Sequence, residues 1–278
     1  MDRLGIEFLS VFDMPPVQFV GLAADLGCQH ISIGLSQVGY NPHNYPKAVL
    51  RDDPALRREM VAAMRDRGVS ISLGEGLAIR PGVAARDLAG DLELMCELGV
   101  KRINTISLDP DMGRTLDEFG KLAEMAAGAG VETTAEFAPG LTLDTLPKAL
   151  AAVRHVNRPD FRLLIDTMHL GRTGSTAADL AAIDPALIGY VQLADAPLKP
   201  RFATYMEEAM YERMAPGDGE LPLLEFLTIL PRDRVISLEI PLRSEAEAGV
   251  GPHERLGRCV AAARELLAKR DSVAPAAR

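Results

Sequence analysis

The sequence lacks most of the marks that would assign it to a special class. No apolar run approaches the roughly 20 residues of a membrane-spanning helix. Its first residues, MDRLGIEFLS, pass from charge directly into a strand-like run, without the basic, apolar and cleavage regions of a signal peptide, so a cytoplasmic protein is expected. Only 3 cysteines occur, and Cys28, Cys96 and Cys259 stand far apart within apolar patterns. They read as reduced small hydrophobes, which disfavours a disulfide or zinc-thiolate framework. Clusters of Lys and Arg are missing as well: 30 basic residues face 39 acidic ones, for a net charge of −9. Nucleic acid and membrane are therefore poor partners, because neutralising phosphate needs concentrated cations. The first strand-like run is not followed by a glycine-rich dinucleotide loop; SVFDMPPVQF stands there instead, which argues against a doubly wound nucleotide-binding sheet. What remains is an ordinary globular chain of 278 residues, 47% hydrophobic and 25% charged, fitted to a small-molecule substrate. Assembly as a homo-oligomer stays open.

Strand-like and helix-like patterns alternate along the chain. The strand-like runs are LGIEFLSVF (4–12), CQHISIGL (28–35), VSISLGEG (69–76), KRINTIS (101–107), VETTAEF (131–137), FRLLIDTMH (161–169), IGYVQLAD (188–195) and VISLEIPL (235–242). Between them the apolar period lengthens to that of a helix, as at Leu56, Met60 and Met64, at Leu88, Leu92 and Met95, and at Leu256, Val260, Ala263 and Leu267. Gly27, Gly68, Gly99 and Gly130 follow such segments and are expected as left-handed C-caps. Eight strand and helix pairs in alternation predict α/β architecture: a single parallel (β/α)8 TIM barrel spanning 1–278. A long loop, 196–220, follows strand seven, and a tail, 271–278, is expected to be disordered.

Four oxygen-bearing side chains stand near the ends of the last four strand-like runs: Glu136, Asp166, Gln192 and Glu239. A carboxylate or amide at the end of a buried parallel strand is costly without a partner, and the C-terminal mouth of a barrel would bring all four together. Three carboxylates and one amide oxygen form a hard shell suited to one divalent metal ion, Mg²⁺ or Mn²⁺. His169, three residues after Asp166, is a candidate for substrate contact or proton transfer, with orientation of Asp166 as the alternative. Glu75 and Asp195 end strands toward the same mouth and are candidate substrate contacts, although strand-end carboxylates are also frequent helix caps. Lys199, Arg201 and His43 are weaker candidates. In APGDGE (215–220), Asp218 and Glu220 would repel phosphate, so the segment reads as a tight turn leading to an acidic helix cap.

The motifs AEF, IDTMH, VQLADAP followed by PGDGE, and SLEIP resemble those of the xylose isomerase-like, or endonuclease IV-like, TIM barrels of the sugar isomerase and epimerase superfamily. The resemblance covers essentially the whole chain. It implies a metal held by Glu136, Asp166, Gln192 and Glu239, with Glu136 and Glu239 also serving as base and acid on either side of the substrate. Arg213 resembles an arginine that precedes the PG-x-GE loop in relatives and meets a substrate oxygen; an ion pair with Glu212 or Glu208 is the alternative. Glutamine at the strand-seven position is similar to hydroxypyruvate isomerases and bacterial 3-dehydroshikimate dehydratases, whereas many ketose 3-epimerases carry histidine. Endonuclease IV needs a histidine-rich trinuclear zinc site, and 5 histidines with two near the mouth do not match it. The expected activity is a metal-dependent isomerase or epimerase of a sugar-like hydroxy-carbonyl compound, working through an enediolate in carbohydrate metabolism. A dehydratase of the 3-dehydroshikimate type would use the same site, and an accessory barrel that binds without turnover is the reading of another class.

Overall fold

The apolar runs form eight parallel strands that close on themselves. They are β1 Leu4–Ile6, β2 His30–Gly34, β3 Ser70–Ile79, β4 Arg102–Ser107, β5 Glu132–Ala135, β6 Phe161–Asp166, β7 Ile188–Leu193 and β8 Ile236–Leu238. Each pairs with the next in chain order, and β1 closes against β8 with Leu4 opposite Ile236. The computed structural model describes residues 3–273. Among the described residues, eleven α-helices accompany the strands: α1 Pro16–Asp25, α2 Pro54–Arg67, α3 Ala89–Glu97, α4 Met112–Gly128, α5 Leu146–Val156, α6 Thr167–Arg172, α7 Ala177–Ala181, α8 Tyr205–Tyr211, α9 Leu223–Ile229, α10 Arg243–Glu247 and α11 Pro252–Ser272. The architecture is the expected (β/α)8 barrel, and none of the described helices is long and apolar enough to cross a membrane.

Local chemistry explains the helix ends. Asp53 starts α2 by accepting the amides of Ala55 and Leu56, Pro54 presets the first turn, and Gly68 ends it in the left-handed region. The same C-cap geometry recurs at Gly27, Gly99 and Gly130, all with φ between 72° and 81°. In α4, Thr115, Phe119, Leu122 and Ala126 form one buried stripe against the sheet. The helical layer and the strands share one extended apolar core, while Leu73, Leu164 and Tyr190 fill a separate, smaller cluster inside the barrel. All three cysteines are free. Burial pushes the Cys259 thiol up to about 12, which keeps it an inert packing residue.

Strand ends differ from the sequence pattern. The first strand stops at Ile6 because Phe8–Val11 coils into a 3-10 turn, whereas β3 continues to Ile79. The tail expected at 271–278 begins inside α11, which runs to Ser272; residues 274–278 lie outside the described part of the chain. The loop 196–220 contains α8 and is pinned by two antiparallel bridges, Asp195 to Met214 and Glu212 to Leu242.

Candidate metal centre

Barrel register brings the acidic residues level. Asp166 pairs with Gln192 across β6 and β7, and Gln192 pairs with Ser237 on β8. The amides just past the strands continue the ladder: Glu239 donates to Leu193 O (3.2 Å), Glu7 to Leu238 O (2.9 Å) and Glu136 to Thr105 O (3.1 Å). Side chains at these positions surround the C-terminal mouth, and Glu75, Glu136, His169, Arg213 and Glu239 line a cavity there.

Arg213 is the cation at the centre of the group. Its Nη1 lies 2.5 Å from Asp166 Oδ2, its Nη2 lies 2.5 Å from Glu239 Oε2, and its Nε donates to Ala209 O (2.7 Å). The guanidinium is almost fully buried. Neither anticipated surface partner is used: Glu208 pairs with Arg172 and Arg201, and Glu212 accepts from Ser244. Asp166 also caps α6, its Oδ1 accepting His169 N at 2.9 Å. That cap turns the chain so that His169 Nε2 reaches Glu136 Oε1 at 3.2 Å while Nδ1 hydrogen-bonds the Tyr205 hydroxyl.

Asn104, Glu7 and Tyr205 join the site without having been singled out from the sequence. Asn104 Nδ2 donates to Glu136 Oε2 (2.6 Å) and Glu75 Oε2 (3.1 Å), holding the two carboxylates side by side. Glu7 sits fully buried beneath them, accepting from the Tyr190 hydroxyl at 2.9 Å. The signal at Glu7 was the one used elsewhere, a carboxylate inside the apolar run LGIEFL. Asn104 in KRINTIS carried a weaker version.

The electrostatics follow from burial. It pushes the Glu75 and Glu239 carboxyls well above their ordinary range; Glu136 and Glu7 reinforce the shift at Glu75, while Arg213 opposes it at Glu239. Glu7 is likewise raised by burial. At Asp166 burial acts in the same direction, but Arg213 and then His169 outweigh it and hold the carboxyl below its ordinary value.

The donor set fits a hard divalent ion. Gln192 is completely buried; its Nε2 donates to Glu75 (3.2 Å) and Glu239 (3.3 Å), yet among the described residues its Oε1 has no partner. A buried amide oxygen with nothing to accept is unfavourable unless a cation or donor completes it. Glu136, Asp166 and His169 each offer a ligand atom within 4.8 Å of the others, and Glu7, Glu75 and Glu239 form a second such group.

Other candidates lie elsewhere. Asp195 is buried and turned into the loop, where its carboxylate accepts the amides of Ala196, Gly217, Gly219 and Leu221 at 2.8–3.1 Å. The PGDGE turn is thus an anion cradle whose anion is the protein's own Asp195. The acidic cap expected on the following helix is absent: Pro222 is the N-cap of α9 and offers no side-chain cap, and Glu220 accepts Leu198 N instead. Lys199 and Arg201 are exposed on the loop, and His43 contacts Arg255 Nη2 at 3.2 Å.

Comparison with known proteins agrees with this architecture. Residues 20–259 match the family model described as xylose isomerase-like TIM barrel. A 3-dehydroshikimate dehydratase from Pseudomonas aeruginosa is 24% identical over 226 residues, covering 80% of this chain and 32% of that protein. The chain therefore spans about a third of that relative's length. Among solved structures, the IolI protein with a bound zinc atom aligns over 98% of both chains at 19% identity and TM-score 0.76. D-allulose 3-epimerase from Methylomonas sp., in complex with D-allulose, aligns over 97% of each chain at 15% identity and TM-score 0.69. At these identities the structural matches speak to the fold alone.

Proposed function

The chain belongs to the xylose isomerase-like TIM barrel family, and on that premise we propose that it is a divalent-metal-dependent isomerase or epimerase of a small hydroxy-carbonyl compound. The observation that carries the reading is the pairing of chemistry at one mouth: an unpartnered Gln192 oxygen among carboxylates, with His169 against Glu136 on one side and Glu239 on another. Glu136, Asp166, Gln192 and Glu239 would hold the ion, with Mg²⁺ or Mn²⁺ suiting an all-oxygen shell. Bound there, a divalent ion supplies Lewis acidity, lowering the pKa of a carbon next to a chelated carbonyl and offsetting the charge that develops.

The side chains then divide the proton transfers. Glu136, oriented by Asn104, removes the proton between carbonyl and hydroxyl to give the enediolate, and His169 at 3.2 Å can relay it onward. Glu239, whose carboxyl burial pushes upward, is suited to return a proton. Delivery to the neighbouring carbon isomerises the compound, and delivery to the opposite face epimerises it. Arg213 offsets the negative charge of the cluster and is the substrate-oxygen contact in this scheme.

A second reading is favoured by the 24% identity to a 3-dehydroshikimate dehydratase. There the same proton leaves to Glu136, the hydroxyl on the β-carbon departs, and His169 gives it a proton so that water is released. Incubation in D₂O with Mn²⁺ and a panel of ketoses, hydroxypyruvate, 3-dehydroshikimate and aliphatic α-hydroxyketones tests both. Metal-dependent deuterium incorporation is expected, and the product separates isomerase, epimerase and dehydratase. No exchange from any of these compounds, with metal bound, would count against the reading.

A further inference from the structure

We infer that the substrate's body, beyond a hydroxy-carbonyl head bound at the metal centre as proposed above, is apolar and not polyhydroxylated. The cavity at the mouth is polar only at its floor and rim. Past the metal-site groups its walls are Phe8, Leu77, Ile106, Leu141, Met206 and Met210, with the exposed Arg80 as the remaining polar residue. Beyond the proposed metal ligands, no serine, threonine, tyrosine or glutamine among the described residues lines it. The single amide, Asn104, is already committed to Glu75 and Glu136.

A sugar chain entering this space would bury hydroxyls against hydrocarbon, each losing its water without gaining a partner. An apolar body gains from the same burial. The loop after β7 strengthens the argument. Its helix α8 presents Met206 and Met210, one turn apart, to the cavity, although Met206 is 39% exposed and a polar residue there would otherwise be favoured. Two flexible thioethers make an adaptable apolar cover. The loop thus covers the pocket with hydrocarbon where a sugar site would need hydrogen-bonding groups.

Hydroxamates provide the probe, since their two oxygens chelate a divalent ion as a hydroxy-carbonyl does. The full chain loaded with Mn²⁺ is titrated calorimetrically with acetohydroxamate, butyrohydroxamate, hexanohydroxamate and 2,3,4-trihydroxybutyrohydroxamate. Affinity should rise about fourfold per added methylene, so butyrohydroxamate binds about 15-fold tighter than acetohydroxamate, and the trihydroxy compound binds at least about tenfold weaker than butyrohydroxamate. Leu141→Asn and Met210→Gln should each cut the gain per methylene to under about twofold. A flat series, or a trihydroxy compound binding as tightly as butyrohydroxamate, overturns the apolar body while leaving the metal centre intact. Failure of acetohydroxamate itself to bind the Mn²⁺-loaded chain overturns the head-binding reading, and this inference with it.

Discussion

Replacing Arg213 with Met tests the electrostatic core of the site. The guanidinium is 3% exposed and neutralises two buried carboxylates at 2.5 Å each, Asp166 and Glu239. Breaking a buried pair by removing one partner destabilises by about 3–5 kcal/mol, because an uncompensated charge stays behind. Glu239 can escape by holding a proton, since burial already raises its carboxyl; Asp166, whose carboxyl lies below its ordinary value, bears most of the loss. A depressed carboxyl contributes stability above its unfolded value of about 3.9 and loses that contribution as pH falls through the folded value. In the Met variant burial acts alone, so Asp166 should instead oppose folding as pH rises above about 4. The gap between wild type and variant is therefore largest at neutral pH and closes toward pH 4. Urea midpoints of metal-free protein, followed by far-UV circular dichroism at pH 7.5 and 4.5, measure it. Saturating Mn²⁺ should narrow the gap at pH 7.5, a dication standing in for the lost charge. A pH-independent difference below about 1 kcal/mol would refute the reasoning.

Four further expectations follow from the same geometry. Gln192→Leu should lower Mn²⁺ affinity by about 100-fold or more in calorimetry, and Gln192→His should keep binding but move preference toward Zn²⁺ or Co²⁺; an unchanged metal profile would place the amide outside the ion's reach. Glu136→Gln should slow solvent deuterium exchange by about 10²- to 10⁴-fold with an unchanged circular dichroism spectrum, and near-normal exchange would assign the base elsewhere. Because burial raises Glu7, Glu75 and Glu239, the folded metal-free protein keeps protons that the unfolded chain releases above about pH 4.3, so its stability should fall as pH rises from there through the raised values. Mn²⁺ should accordingly lift Tm more at pH 8 than at pH 6, and equal increments would contradict this. Finally, a Cβ on Gly219 would stand 2.3 Å from Asp195 Oδ1 and 2.7 Å from Ala196 N; Gly219→Ala should destabilise by about 1–3 kcal/mol and speed proteolysis within 196–220, and wild-type resistance would show that the loop does not depend on this cradle.

The barrel was legible because apolar strands, helical periods and glycine C-caps all pointed to one architecture. Glu136, Asp166, Gln192 and Glu239 were legible for the same reason that makes them costly: oxygen-bearing groups interrupt apolar strand ends. What the pattern could not carry was pairing across the barrel. Arg213 lies in a loop with Glu208 and Glu212 close in sequence, yet its partners come from β6 and the residue after β8. Asp195 looked like a mouth residue from its position, but Gly217 and Gly219 fold the loop amides back onto it. Glu7 escaped notice because the first run continues as hydrophobically beyond it as before it, and only the 3-10 turn at Phe8 ends the strand there.

The charge count at the mouth decides which carboxyls can be ionised together. Glu7, Glu75, Glu136, Asp166 and Glu239 would carry five negative charges among them, with Arg213 as the permanent cation in contact with the group among the described residues. A bound dication adds two positive charges, which still leaves an excess of two negatives in a buried space where unpaired charge is costly. Protons must make up the difference, and they belong on the groups that burial raises, Glu7, Glu75 and Glu239. Asp166, which Arg213 holds below its ordinary value, stays ionised. Gln192 Nε2 is held by the carboxyl oxygens of Glu75 and Glu239 at 3.2 and 3.3 Å, which leaves its unpartnered Oε1 available to the proposed ion. Glu7, fully buried and raised by that burial, therefore helps to set the charge of the candidate site without lining the cavity.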